Sequence, residues 1–415
     1  MKRRSRESAE ERSRAALKLN AAARETFEAR NGPIPTKIKV ISEPSEREFT
    51  RKYLERNRPV LIRGAFEHWG ARKKWDFDYL ERKLGDDKKV SVNVMPVAAG
   101  SGTIVGPYHV DPKKVTMRFN DFTRLLKDDL SAKGGKRRKS KSKSKSKSRS
   151  KGGKRGGKKG KRRSGGEEVT GAVGDNKYYI SSNTNNFKKQ YPELAKDVNM
   201  NGFDFISSFK IDSVNMWMGG KGCKSPVHND YLENLFCVVR GQKTMLLFHP
   251  LDSVYMYESR FRKGHFEKKK DGSWYIKETN PLRHQEWVAV DPEAPDHERH
   301  PLFRYANPIE VTINEGDMLY LPHSWYHLVK QDVDDEGKCI AVNLWFSYDE
   351  GEEPWHYDLF SNMENQTRAL LGERYIFDGS SSYSEDPTDS SSYSSTGSSI
   401  ESLESETTFD PLKNV

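Results

Sequence analysis

At 415 residues with 34% hydrophobic content, the chain is long enough to bury a large core. Its three cysteines, Cys223, Cys237 and Cys339, have no zinc-like spacing, which argues against both a disulfide framework and a structural zinc site. The net charge of +11 comes from one segment: residues 131–166 carry 18 Lys and Arg and no acid, so the rest of the chain is net negative.

No run approaches the roughly 20 apolar residues of a membrane helix. Residues 1–31 are charged and Ala-rich and lack the apolar stretch of a secretory signal. The expectation is a soluble protein of a reducing compartment, without membrane attachment.

Taken in order, residues 4–30 predict a long, weakly amphipathic helix, and 1–31 read as an N-terminal helical extension. Ser45 and Glu48 form a capping-box pattern ahead of the stripe Phe49, Tyr53 and Leu54, and Pro59 follows its end. "PVLIRGAFEHW" (59–69) predicts a short buried strand and a turn. A helix is expected over 77–84, a strand around 90–95, and a capped helix in "FNDFTRLLKDDL" (119–130). The composition then changes abruptly. "KRRKSKSKSKSKSRSKGGKRGGKKGKRR" has no apolar residue to repay its ordering entropy, so 131–170 is expected to be a disordered basic insert. With a helix before it and strand-like "KYYIS" after it, the insert interrupts one domain spanning 32–377.

From Val214 onward the pattern is all-β. "VNMWMG", "LENLFCVVRG", "KTMLLFHP", "IEVTINEGD", "MLYLP", "WYHLVKQ" and "KCIAVNLWFS" are short apolar or alternating runs between Gly, Asp and Asn turns. Such strands behind a helical prelude predict a jelly roll with helices packed outside it. Residues 254–301 predict an ordered insertion between strands. Residues 378–415, Ser-rich and acidic, predict a disordered tail.

Within "SPVHNDYLENLFCVVRGQK" (225–243), polar His228, Asp230, Asn234 and Lys243 interrupt an apolar, strand-like run. A buried strand avoids unpaired charge, so these residues face water or share a partner that the sequence does not show. On a strand, His228 and Asp230, two apart, share one face. A second histidine on a neighbouring strand would complete two imidazoles and one carboxylate, the facial set that holds Fe(II) and leaves coordination positions open. "LPHSWYHLVKQ" offers His323 and His327. Lys243 begins the next strand and could meet an anion at such a centre. Asn343 interrupts the apolar strand "CIAVNLWF", where a buried amide needs partners.

Together these motifs resemble the JmjC-domain family of Fe(II)- and 2-oxoglutarate-dependent oxygenases. "PVHNDYLENLFCVVRGQKTMLLFHP", "EGDMLYLPHSWYHLV" and "CIAVNLWF" match the family's strands in order, and the likeness covers about residues 45–360 apart from the insert. The resemblance implies a mainly β, double-stranded β-helix (jelly roll, cupin-like) core with flanking helices. It implies His228, Asp230 and His327 as iron ligands and Lys243 as the partner of the distal carboxylate of 2-oxoglutarate. Ser225 sits where the family places Thr or Ser against that carboxylate, and Tyr179, Asn234 and Asn343 match further pocket positions. His323 stands where similar family members have a small residue and is left out as a ligand. Fe(II), 2-oxoglutarate and O2 are the implied cofactor and co-substrates.

The function so implied is hydroxylation of a protein lysyl residue at carbon 3, in a GTP-binding protein of the developmentally regulated class. It comes with a homodimer and a cytoplasmic, also nuclear, location. The competing functions are histone methyl-lysine demethylation, tRNA hydroxylation and a non-catalytic, nucleic-acid-binding cupin-like module. No chromatin-reader module is visible. The insert would bind polyanions in a salt-dependent manner, and without interleaved aromatics it would do so nonspecifically. The insert and the tail depart from the family pattern.

Overall fold

The computed structural model describes residues 9–96, 103–134, 168–169, 176–181, 185–199, 202–348 and 353–371. At its centre are eight strands: β1 (Lys210–Gly219), β2 (Lys224–His228), β3 (Glu233–Arg240), β4 (Gln242–Phe248), β5 (Ile309–Ile313), β6 (Asp317–Leu321), β7 (Tyr326–Asp332) and β8 (Cys339–Ser347). They form two sheets, one in the order β6-β3-β8-β1 and the other in the order β2-β7-β4-β5, with every one of these pairs antiparallel. This is the jelly roll, or double-stranded β-helix, that the strand pattern predicts.

The first sheet grows at both edges. Val60–Arg63 and Lys39–Ile41 continue it beyond β6, and Asn176–Ile180, Lys89–Pro96 and Lys113–Arg118 continue it beyond β1. β3 and β8 lie in its middle and are buried along nearly their whole length, which explains their near-continuous apolar sequence. The strand-like run 225–243 is broken twice. β2 ends at His228, β3 begins at Glu233, and Gly241 turns the chain into β4. Gly241 has φ +72°, and a Cβ there would meet the Asp332 carbonyl oxygen at 2.8 Å, so only glycine fits this turn.

A third sheet lies outside the roll. It is built from the insertion after β4, as Glu258–Lys268, Trp274–Glu278 and His284–Val288, joined by Thr103–Val105, Tyr108–Asp111 and Glu168–Val169. The helices Ala9–Asn31 and His356–Leu371 pack on one another, with Phe27 and Phe360 ring centroids 5.6 Å apart beside the buried His249. Ser45 caps its helix, its Oγ accepting from the Glu48 N–H at 3.3 Å, while the Glu48 carboxylate turns to Lys52. The helix Phe119–Gly134 and the strand Glu168–Val169 occupy the two ends of the segment expected to be disordered. The rest of that segment and the whole of the expected acidic tail lie outside the described residues.

Candidate metal centre and co-substrate pocket

β2 and β7 are neighbours, and their register sets the centre. His228 lies opposite His327, and Ser225 opposite Val329. Three residues of β2 therefore span two of β7, a bulge that puts Ser225 and His228 on the same face as Val329 and His327. Regular alternation would have pointed Ser225 away from His228. Asp230 is not on the strand as its spacing predicts; it lies in the turn after β2, where its carbonyl oxygen accepts from the Ser324 N–H at 2.7 Å.

The potential ligand atoms of His228, Asp230 and His327 lie within 4.8 Å of one another. Both imidazoles are held through Nδ1–H, His228 donating to the Pro226 carbonyl at 2.8 Å and His327 to the Trp325 carbonyl at 3.0 Å. That leaves each Nε2 with its lone pair directed elsewhere, the tautomer a metal ligand needs. His327 Nε2 is 3.7 Å from Asp230 Oδ2, and the two imidazole centroids are 4.2 Å apart. Burial and the neighbouring His228 lower the His327 pKa to about 4, against the pull of Asp230, so the ring is neutral at physiological pH. Two imidazoles and one carboxylate converging in this way suit Fe(II) with open positions.

Lys243 lies opposite Gln331, four residues along β7 from His327 and on the same face. Its side chain is 2% exposed and enters the space between the sheets. Nζ donates to Gln331 Oε1 at 2.6 Å and to the Tyr179 hydroxyl at 3.1 Å, and it lies over the Tyr179 ring at 5.2 Å. Burial alone would lower its pKa, but Tyr179 and the thiols of Cys339 and Cys223 reverse the direction, and the ammonium stays charged. Among the described residues no carboxylate pairs with it. A buried cation held only by neutral groups is the complement of an anionic ligand.

Asn234 and Asn343 lie on the inner face of the β3-β8 pair. Asn343 Nδ2 donates to Asn234 Oδ1 at 3.2 Å, and Trp217 Nε1 donates to Asn343 Oδ1 at 2.8 Å. The Tyr179 ring lies 6.2 Å from Trp217 and joins the two groups. His323 lies apart from the triad: its ring stacks on Tyr357 at 3.4 Å, and its Nε2 is 3.2 Å from His356 Nδ1.

Two participants escape a reading of the sequence. Gln331 shares strand parity with His327 and orients the ammonium, but a glutamine near a strand end looks like any solvated residue. Trp287 stacks on His228 with planes 18° apart and centroids 5.8 Å apart, yet it comes from the insertion, far away in sequence.

The Cupin-like domain family matches residues 45–351. JmjC domain-containing protein E of Dictyostelium discoideum is 29% identical over 77% of this chain and 86% of its own length. The human bifunctional peptidase and (3S)-lysyl hydroxylase JMJD7 is 25% identical over 84% of this chain and 93% of its own. Lysine-specific demethylase JMJ32 of Arabidopsis thaliana is 28% identical over 77% of this chain and 84% of its own. With a matched segment that contains the whole jelly roll and the His-Asp-His cluster, the chain belongs to the cupin-like family and, within it, to the JmjC-domain proteins.

Proposed function

We propose that this protein is an Fe(II)- and 2-oxoglutarate-dependent oxygenase that hydroxylates a lysyl side chain of a protein, with a GTP-binding protein as substrate. The observation that carries the chemistry is the pairing of two sites on one face of the β2-β7-β4 sheet. One is a cluster of two imidazoles and a carboxylate with both rings held through Nδ1; the other is a buried ammonium with no carboxylate partner among the described residues, four residues along β7. Iron with 2-oxoglutarate supplies O2 activation, coupling decarboxylation to succinate with hydroxylation of a C–H bond.

Every other part falls to the chain's own residues. His228, Asp230 and His327 would hold the metal, with the Pro226 and Trp325 carbonyls fixing the rings. Lys243, steadied by Tyr179 and Gln331, would bind the far carboxylate of the co-substrate, with Ser225 on the same face. Asn234 and Asn343, a hydrogen-bonded pair on the inner face of the first sheet, would line the pocket beside them.

Lysyl hydroxylation is supported by the similarity to the human lysyl hydroxylase across most of both chains. Demethylation is the second reading, supported by the Arabidopsis relative's name. Anaerobic binding of Fe(II) and 2-oxoglutarate, followed by oxygen and candidate GTP-binding proteins, tests both. Succinate with a 16-dalton gain on a lysyl residue is the expected result, whereas formaldehyde from a methyl-lysyl peptide would favour the demethylase. In this reading the protein works in the cytoplasm and nucleus as a homodimer.

A further inference from the structure

The first residue of the triad stands on the least supported strand of the roll. β2 is an edge strand of five residues, and among the described residues its only strand partner is β7. The bulge between Ser225 and His228 interrupts even that pairing. His327, by contrast, lies on β7 between two neighbouring strands and is 4% exposed. His228 is only partly buried, and the hydrogen bond that orients it, to the Pro226 carbonyl, stays within its own strand. A one-sided, broken ladder specifies register weakly. A metal ligand must nevertheless be held to within about 0.5 Å.

The insertion supplies support at two points. At the first, Trp287, on the strand His284–Val288, lays its ring against the His228 imidazole, with planes 18° apart and centroids 5.8 Å apart. That strand pairs with Glu258–Lys268, which Tyr108–Asp111 flanks on the other side, so the indole is mounted on a sheet. Behind it stands His109 of Tyr108–Asp111, with ring centroids 4.6 Å apart. His109 is 3% exposed, and neither ring nitrogen has a hydrogen bond among the described residues. Burial and then Lys263 lower its pKa to about 4, so the ring is a neutral aromatic surface. His109, Trp287 and His228 form one column of rings from the third sheet to the triad.

The second point is Glu293, six residues beyond Trp287. Its carboxylate pairs with Lys224 at 2.5 Å and with Lys330 at 3.2 Å. Those lysines are register partners on β2 and β7, where like charges directly opposite repel. The carboxylate offsets that repulsion and ties the insertion to both strands at once. A turn fixes its place: the Glu293 N–H donates to Asp291 Oδ1 at 3.0 Å, and the Ala294 N–H to the Asp291 carbonyl at 3.2 Å.

We propose that residues 287–293 form a strap that holds β2 in place for metal binding, with Trp287 as the positioning residue for His228. The proposal rests on the triad's reading as a metal centre and is independent of the substrate. The strap grips β2 at both ends, at Lys224 and at His228, so the insertion serves the centre without contributing a ligand.

The test measures Co(II) binding by the full chain without 2-oxoglutarate, from the visible absorption of the bound ion, whose band shape reports the ligand geometry. Trp287→Leu removes the flat ring and is expected to weaken binding about tenfold or more and to alter the band, as loss of a group that orients a ligand does. Trp287→Phe keeps a flat ring on His228 and is expected to retain the band and stay within about threefold of wild type. Glu293→Gln releases the lysine pair and is expected to weaken binding about threefold, the scale of a partly exposed ion pair. Thermal unfolding of the metal-free proteins verifies the fold. Glu293 is partly exposed, so Glu293→Gln carries the test if Trp287→Leu does not fold. Wild-type affinity in folded Trp287→Leu or in Glu293→Gln, or equal losses in the two Trp287 variants, overturns the strap. A wild-type chain that binds no Co(II) would remove the metal centre itself, and the strap's role with it.

Discussion

A buried ammonium with neutral partners is costly unless something anionic completes it, which makes Lys243 the most informative single residue of the molecule. Lys243→Ala is expected to weaken 2-oxoglutarate binding roughly tenfold to a hundredfold, since a hydrogen bond to a charged group contributes about 1.5–3 kcal/mol. Equilibrium titration of the Mn(II)-loaded protein measures it, and an unchanged constant would assign the far carboxylate to another residue. Asp230→Ala removes the one anionic donor of the triad. The substituted protein should keep its fold, because Asp230 lies in a turn and its backbone carbonyl makes the bond to Ser324. It should lose metal binding and, with it, succinate production; wild-type succinate production by a folded Asp230→Ala protein would remove the triad. His228, Lys243 and Asn343 are legible in the sequence because each interrupts an apolar run where polarity needs a reason. Gln331 and Trp287 are not, because a glutamine near a strand end and a tryptophan in a long insertion have ordinary explanations that only contact overrides.

Strands and helices add what residue spacing cannot state. The two-residue H-x-D spacing suggests one strand face, but the structure uses a strand end and a turn, and the bulge in β2 recruits Ser225. Period-2 reasoning finds the strands and misses both devices, since bulges and turn exits break the period itself. The helix His356–Leu371 closes one end of the roll over Glu233, which is fully buried and accepts from Tyr320 at 2.7 Å, Tyr357 at 3.1 Å and the His323 N–H at 3.2 Å. Burial outweighs those three bonds and raises its pKa from 4.5 to about 7. An acid with a raised folded pKa favours the fold most when protonated in both states. That contribution is fully present below the unfolded value of 4.5 and is lost as pH rises through about 7. Glu233→Gln cannot ionise, so the stability of the wild type relative to this variant should fall by about 3 kcal/mol over that interval and then level off. Urea unfolding of both proteins across the interval provides the comparison, and parallel pH profiles would show that the carboxyl titrates normally.

At the scale of the whole molecule, the strongest charge feature lies in sequence between the helix Phe119–Gly134 and the strand Glu168–Val169, outside the strands that carry the triad. Most of the jelly roll, the edge strands Val60–Arg63, Lys89–Pro96 and Asn176–Ile180 and the helices Ala9–Asn31, Phe77–Leu84 and Phe119–Gly134 were readable because their patterns are local, whereas the strands Lys39–Ile41 and Lys113–Arg118 and the helix His356–Leu371 were not anticipated. The third sheet was readable only as an ordered insertion, because its strands come from three distant stretches of the chain. The basic segment leaves at the end of the helix Phe119–Gly134 and returns at Glu168–Val169, an edge strand paired with Trp274 and Tyr275. That edge is three strands from Tyr108–Asp111 across the third sheet, about 14 Å at ~4.8 Å per strand. Replacing residues 135–166 with a short Gly/Ser linker keeps both ordered ends and removes 17 of the segment's 18 cations. A segment without apolar residues contributes little to a distant site, so 2-oxoglutarate turnover in the presence of a candidate protein substrate should stay within about threefold of the full chain. Heparin retention should fall sharply and lose most of its salt dependence, because the remaining chain is net negative and polyanion affinity follows clustered cations. Both quantities are measured on the same two proteins. Lost turnover in a folded deletion protein would mean that the segment reaches from its edge of the third sheet to the strand of Trp287 and docks substrate there, which an independent linker would not do.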